Sequence, residues 1–241
     1  VFGFIKLLLK IVGDIRPNYL IVAFDLKAPT FRHKIYDQYK GTRKPMPEDL
    51  VVQLPILKSL LKSMHIAICE KEGYEADDLI GTLSKKFPNI HSIIITGDRD
   101  SYQLIDENTD VFITKTGVSE LLKLTQENFK GLIGYEPRQV VDMKALMGDS
   151  SDNIPGVSGV GEKTALSLIT AYDNLDNLYE HLDELHESLK KKLVAGKESA
   201  YLSKTLAKIE TQVPIETDLS QCVIEMPFGQ EVRTQFLQLE F

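Results

Sequence analysis

The sequence predicts an α/β body with a mostly parallel sheet flanked by helices, followed by an all-helical C-terminal region, on three observations. Short continuous apolar runs end in acids at 19–24 (YLIVAF, then Asp25) and 92–96 (SIIIT, then Gly97-Asp98), the pattern of strands buried on both faces. Apolar residues at helical spacing fill 50–64 and 76–87 between them, so strands and helices alternate as in βαβ units. From residue 127 onward strand-like runs disappear, and helical patterns pass through 137–147, 163–172, 182–194 and 199–209. Shorter strands are expected at 65–69 and 111–114. The division that follows is an α/β body over 1–126 and a helical region over 127–241.

With 241 residues, 43% of them hydrophobic, the chain can bury a sizeable core. Its two cysteines, Cys69 and Cys222, stand far apart and outside any CxxC or Cys/His cluster, which argues against a disulfide framework or a zinc site. The apolar runs are too short to cross a bilayer and no signal-peptide pattern opens the chain, so a soluble, cytoplasmic protein is expected. The net charge of −7 hides a segregation. Lys27, Arg32, Lys34, Lys40, Arg43 and Lys44 crowd one stretch against a single acid, Asp37, and Lys190, Lys191, Lys192, Lys197, Lys204 and Lys208 crowd another against Glu198.

The acids gather in four short segments. Glu75, Asp77 and Asp78 fall within four residues at a predicted helix start; capping and the helix dipole account for one or two of them, and a third needs a cation to relieve the repulsion. Asp98 and Asp100 follow a strand at spacing two, a pattern equally common in plain turns. Asp149 and Asp152 lie three apart in GDSSDN, which alone could be a capping turn. Asp25, Asp98 and Asp100 fall beyond the carboxyl ends of strands, where ligands bind in such sheets. Together these carboxylates suit hard divalent cations, and paired ions need more than one carboxylate. The 12-residue EF-hand loop, the Walker lysine loop and the GxSxG motif are all absent.

Two segments suit a phosphate backbone. Residues 154–165 (IPGVSGVGEKTA) form a Gly-rich hairpin leading into a helix, with Gly156, Gly159 and Gly161 following no strand. That excludes a dinucleotide fingerprint and fits a helix-hairpin-helix gripping nucleic acid without reading bases. Residues 31–47 interleave cations with Phe31, Tyr36 and Tyr39, which reads either as a solvated basic loop or as a single-strand contact.

Five ordered blocks, FDLKAPTFRH (24–33), YKGTRKPMPEDL (39–50), GYEADDLIG (73–81), TGDRDSYQL (96–104) and MGDSSDNIPGVSGVGEKTA (147–165), carry a resemblance across nearly the whole chain. On them the chain resembles the 5′-nuclease (5′-3′ exonuclease) domain of bacterial DNA polymerase I, within the flap endonuclease superfamily. The resemblance implies a PIN-like body, a helical arch at about 31–49 and a helix-three-turn-helix at about 145–172. It implies that Asp25, Glu75, Asp77, Asp78, Asp98, Asp100, Asp149 and Asp152 bind two Mg²⁺ or Mn²⁺ ions, with Asp77, Asp78, Asp98 and Asp100 the most direct ligands. Lys40 and Arg43 would steer the scissile phosphate, so Lys40, Arg43, Asp77 and Asp98 are the catalytic candidates. Arg32, Tyr36, Lys40, Arg43, Gly156, Gly159, Gly161 and Lys163 would contact DNA, with a K⁺ ion on hairpin carbonyls.

The implied activity is two-metal hydrolysis of DNA at a 5′ flap, nick or single-strand/duplex junction, as in primer removal and excision repair, by a monomer with polymerase domains following in the same chain. Family members begin with a strand ending in a metal-binding Asp, and this chain starts later, at Val1; that strand is expected upstream. The alternative is a fragment that holds flapped DNA without cutting it. A ribonuclease of the broader PIN class is a second rival, disfavoured by the basic arch and the helix-three-turn-helix.

Overall fold

The computed structural model describes residues 1–114 and 121–241. In chain order the elements are α1 (Phe2–Ile15), β1 (Ile21–Ala23), α2 (Phe31–Ile35), α3 (Glu48–Val51), α4 (Gln53–Ser63), β2 (Ala67–Cys69), α5 (Ala76–Lys86), β3 (Ser92–Thr96), β4 (Thr109–Thr114) and β5 (Leu121–Leu124). Seven helices follow: α6 (Gln126–Ile133), α7 (Val140–Met147), α8 (Glu162–Tyr172), α9 (Leu175–Glu180), α10 (Glu187–Ala195), α11 (Lys197–Ala207) and α12 (Gln230–Gln238). Among the described residues no helix is long and apolar enough to cross a membrane.

The chain divides into two compact units that are not consecutive in sequence. The first comprises 1–28, 44–79 and 214–241; the second comprises 29–43 and 80–213, so the change from strands to helices near residue 126 lies inside the second.

In the first unit, β1 and β2 pair in parallel, Ile21 opposite Ala67 and Ala23 opposite Cys69. The amphipathic helix α1 buries Ile5 and Leu8 in one cluster with Leu57, Leu60 and Leu61 of α4 and Val232 of α12. Sequence reading did not anticipate α1 or α12. The expected helix at 50–64 is split, because Pro55 has no N–H to donate to the Val51 carbonyl and the helix restarts after Val52.

In the second unit, β3 and β4 are parallel and β4 and β5 antiparallel, Val111 opposite Leu124. Among the described residues the strands thus form two small sheets, two- and three-stranded, in which two of the three pairings are parallel, as expected. Strands β1 and β2 are half-buried along their length rather than buried on both faces, and among the described residues each has a single strand neighbour. Phe129, Val111 and Leu124 are fully enclosed beside the three-stranded sheet, and Met143, Leu146, Ile169, Leu175, Leu178 and Leu193 form the core of the helical part. The pattern at 182–194 is interrupted: Leu185 is extended, and the His186 ring accepts the Ser188 N–H at 3.3 Å to start α10 afresh.

The expected helical arch at 31–49 is helical only over the five residues of α2 and the first turn of α3. Helix α2 ends where Tyr36 turns extended, and Pro45 and Pro47 oppose helix just before α3.

Candidate functional site

The eight candidate acids divide four and four. Asp25, Glu75, Asp77 and Asp78 belong to the first unit, and Asp98, Asp100, Asp149 and Asp152 to the second.

In the first unit the acids surround the start of α5. The Asp25 carboxylate, just past β1, accepts the Ala76 N–H at 2.8 Å, and Asp78 accepts the Glu75 N–H at 3.0 Å. Both therefore satisfy backbone donors at the helix N-terminus, Asp78 in the capping role open to the acids of this motif and Asp25 from outside it. Asp78 is fully buried, Glu75 is 8% exposed, and Asp77 is half-buried in the first turn.

In the second unit the acids sit on two turns. Asp98 follows β3 and accepts the Asp100 N–H at 2.9 Å, capping the 3₁₀ turn Arg99–Leu104. Asp149 and Asp152 lie in the turn after α7. That turn is closed by reciprocal bonds between Asp149 and Ile154 at 2.9 and 2.8 Å. Gly148 (φ 73°) and Gly156 (φ 63°) bring two backbones together there: a Cβ on Gly156 would stand 2.3 Å from the Gly148 nitrogen.

Three cationic groups, at two centres, organise these acids. Lys144, from α7, is 8% exposed, and its ammonium lies against Asp100 and 2.6 Å from Asp149 Oδ2. Burial and the neighbouring charges of Asp98 and Asp149 push Asp100 up to about 6, against the pull of Lys144. Burial would also raise Asp149, but the Lys144 ammonium with the Ser151 hydroxyl and amide, at 2.6 and 2.8 Å, outweighs it and holds that carboxyl at about 2.

Asp152 is the second centre. It is 5% exposed, takes the Tyr39 hydroxyl at 3.1 Å, pairs with the Arg43 guanidinium, and has the Lys40 ammonium 3.7 Å away. The Lys40 N–H donates to the Asp152 carbonyl at 2.8 Å, and Asn153 donates to the Gln38 carbonyl at 2.7 Å. The basic segment 36–43 is thereby clasped to the acidic turn. Lys40 itself adopts a left-handed conformation, φ 56°.

The candidate DNA contacts separate into two groups. Gly159, Gly161 and Lys163 are exposed around the start of α8, where backbone N–H groups can meet a phosphate; Glu162 in the same turn offsets part of that field. The Gly159 carbonyl accepts the Lys192 ammonium at 3.3 Å. Gly156, by contrast, is buried. Arg32 is 3% exposed and donates to the carbonyls of Leu206 at 2.9 Å and Lys208 at 2.7 Å, so it fastens α2 to the end of α11. Tyr36 is half-buried, its hydroxyl 3.4 Å from Gln38.

Sequence reading missed Lys144, although a lysine inside the apolar run VVDMKALM, one helical turn before GDSSDN, was a usable signal. Tyr39, in the stretch that the sequence leaves open between a solvated loop and a single-strand contact, is buried edge-on to His33, centroids 5.4 Å apart.

The four carboxylates of the second unit supply oxygen donors alone, which suits a hard divalent cation, and the place between Asp100 and Asp149 takes the compact Lys144 ammonium. Among the described residues no three acid, histidine or cysteine side chains converge to hold one metal ion.

Residues 1–134 match the family described as 5′-3′ exonuclease, N-terminal resolvase-like domain, and 135–229 match 5′-3′ exonuclease, C-terminal SAM fold. The chain is 42% identical to a DNA polymerase I of Caldicellulosiruptor bescii over 245 residues, covering all of this chain and 29% of that protein. It is 44% identical to a DNA polymerase I of Bacillus subtilis over 223 residues, covering 91% of this chain and 25% of that one. The chain thus spans under a third of the length of these relatives. The T5 5′-exonuclease solved with zinc ions superposes with a TM-score of 0.71 at 21% identity, covering 99% of this chain and 89% of that one. The catalytic core of Rad2 in complex with DNA substrate gives 0.60 at 18%, covering 92% and 73%. At these identities the structural likeness establishes a common fold.

Proposed function

The chain belongs to the 5′-3′ exonuclease family, and from that premise we propose that it is a structure-specific 5′ nuclease hydrolysing DNA phosphodiesters at a 5′ flap, nick or single-strand/duplex junction. The clasp of Lys40 and Arg43 on Asp152 carries the proposal, because it sets phosphate-seeking cations directly beside metal-seeking carboxylates. The Arg43 side chain is 47% exposed, so an incoming phosphate can exchange with Asp152 for its guanidinium without opening a core.

Asp98, Asp100, Asp149 and Asp152 in one unit, and Asp25, Glu75, Asp77 and Asp78 in the other, are the residues proposed to hold two Mg²⁺ or Mn²⁺ ions. Such ions, when bound, supply a water of lowered pKa and stabilise charge on the phosphorus and the leaving oxygen. Lys40 and Arg43 orient the phosphate and neutralise it as the water attacks and the bond to the 3′ oxygen breaks, leaving a 5′-phosphate and a 3′-hydroxyl. Gly159, Gly161 and Lys163 hold the duplex backbone, and a K⁺ ion on the hairpin would share the Gly159 carbonyl with Lys192. The names of the longer relatives support polymerase domains in the same native chain.

A labelled 5′-flap duplex incubated with the chain in Mg²⁺ and in Mn²⁺, with a chelator control, tests the reaction. Metal-dependent release of 5′-phosphorylated fragments is expected. Binding without product in either metal would overturn the nuclease reading in favour of a DNA-holding fragment, and equal cutting of an RNA flap would favour the PIN-class ribonuclease.

A further inference from the structure

The side chain of Lys144 is 10% exposed, and both of its ion-pair partners, Asp100 and Asp149, are proposed metal ligands. They come from different turns, one after β3 and one after α7, and the ammonium lies between them. Two carboxylates so close repel each other strongly where solvent is scarce, so a cation must stand between them for the two turns to approach. In this chain the cation is built in. The ammonium is a compact charge on a flexible four-carbon stem, with only modest demands on geometry, so it can be withdrawn as a unit.

We propose that Lys144 is the resident counter-ion of the metal-binding acids: it holds Asp100 and Asp149 together in the metal-free protein, and a divalent cation enters by displacing it. The proposal rests on the nuclease reading above and assigns Lys144 a positioning role. Because the dication must evict one positive charge, its affinity is set below what the carboxylates alone would give. Metal release is followed by closure of the ammonium onto the same oxygens rather than by separation of the turns. A merely structural ion pair makes the opposite forecast, since losing it would loosen the acids and weaken metal binding.

The sign of the change therefore decides. Free Mn²⁺, measured by electron paramagnetic resonance in titrations of the whole chain, should show about tenfold tighter binding to Lys144→Met than to wild type, since one positive charge a few ångströms from the entering ion is gone. Lys144→Arg, which keeps the charge, should bind Mn²⁺ within about threefold of wild type on the same reasoning. Lys144→Met should also melt lower than wild type without metal and gain more from saturating Mn²⁺. Equal or weaker Mn²⁺ binding by a Lys144→Met chain whose circular dichroism in Mn²⁺ matches wild type overturns the proposal while leaving the nuclease reading intact. Mn²⁺ binding to neither protein overturns both.

The wild-type chain gives an independent measurement. In ¹⁵N-lysine spectra, the slowly exchanging ammonium signal of Lys144 should disappear on Mg²⁺ saturation and return with chelator. A signal unchanged through saturation overturns the displacement whether or not the variants fold.

Discussion

Asp152 gathers a phenol, a guanidinium and an ammonium around one buried carboxylate, and its partners come from far away in sequence: Arg43 is 109 residues distant. The acids themselves were legible as residue types at telling spacings, but their partners were not, since nothing local to GDSSDN points to Tyr39 or Arg43. Arg32 is the converse case, an arginine in a basic, aromatic stretch that reads as a phosphate contact and is instead buried against two carbonyls. Arg32→Gln should therefore destabilise the chain by about 2 kcal/mol in urea unfolding, the cost of leaving buried acceptors poorly paired. A stable Arg32→Gln chain with weakened DNA binding would restore the phosphate role. Lys40, only 3.7 Å from Asp152 and 20% exposed at its side chain, is placed to meet a phosphate during reaction. Lys40→Ala should lower the single-turnover cleavage rate about 10²-fold or more while changing duplex affinity little, and an unchanged rate would remove it from the mechanism.

At the scale of elements, the Gly-rich hairpin separates two uses of glycine that look alike in the sequence. Gly156 has φ 63° and no room for a Cβ, whereas Gly161 has nothing within 4 Å of where its Cβ would stand. Gly156→Ala should cost at least about 2 kcal/mol of stability, and Gly161→Ala should stay within about 0.5 kcal/mol yet weaken duplex binding where the backbone must approach a phosphate. Equal losses of stability would show that the two positions are not distinct. Helix α9 offers a pH-dependent check on the helical core. Burial pushes the Tyr179 phenol, which donates to the Leu193 carbonyl at 3.0 Å, from 10.0 up to about 12. Because the folded state holds this proton more tightly, the stabilisation is fully present below pH 10 and is lost as pH rises towards 12. Tyr179→Phe should accordingly show a smaller loss of melting temperature over that window, and one fewer late-ionising phenol in ultraviolet absorbance. Of the two helices on which this depends, α10 lies within the expected pattern at 182–194, whereas α9 was not legible, because its six residues are too short to show an apolar period. Nor was the antiparallel β5, since LLKL is a four-residue run without alternation, and the arch holds less helix than the resemblance implies, with Tyr36 extended after α2 and Pro45 and Pro47 before α3.

For the molecule as a whole, the segregation of charge seen in the sequence is only partly a segregation in space. The basic stretch 190–208 looks like a phosphate-binding surface, but Lys190 pairs with Asp183 at 2.5 Å, Lys191 with Glu187 at 3.4 Å, and Lys204 with Asp142 and Asp176 at 2.9 and 3.3 Å. Composition counts those lysines, and the fold answers them with acids from α7, α9, the segment before α10 and the first residue of α10. Lys163, by contrast, is exposed at the start of α8 beside Gly161. A lysine that neutralises a phosphate releases a condensed counter-ion, so each such contact steepens the salt dependence of binding, whereas a lysine already paired within the protein contributes little. For duplex DNA, Lys163→Ala should therefore reduce the slope of log affinity against log salt by about 0.9. Lys190→Ala should leave the slope unchanged. The comparison is made by fluorescence anisotropy on a nicked duplex from low to physiological salt, in a chelator so that cleavage does not intervene. Equal reductions in the two variants would mean that the helical region presents its whole basic stretch to DNA and that the ion pairs with Asp183 and Glu187 give way on binding; no reduction in either would move the duplex contact away from the start of α8.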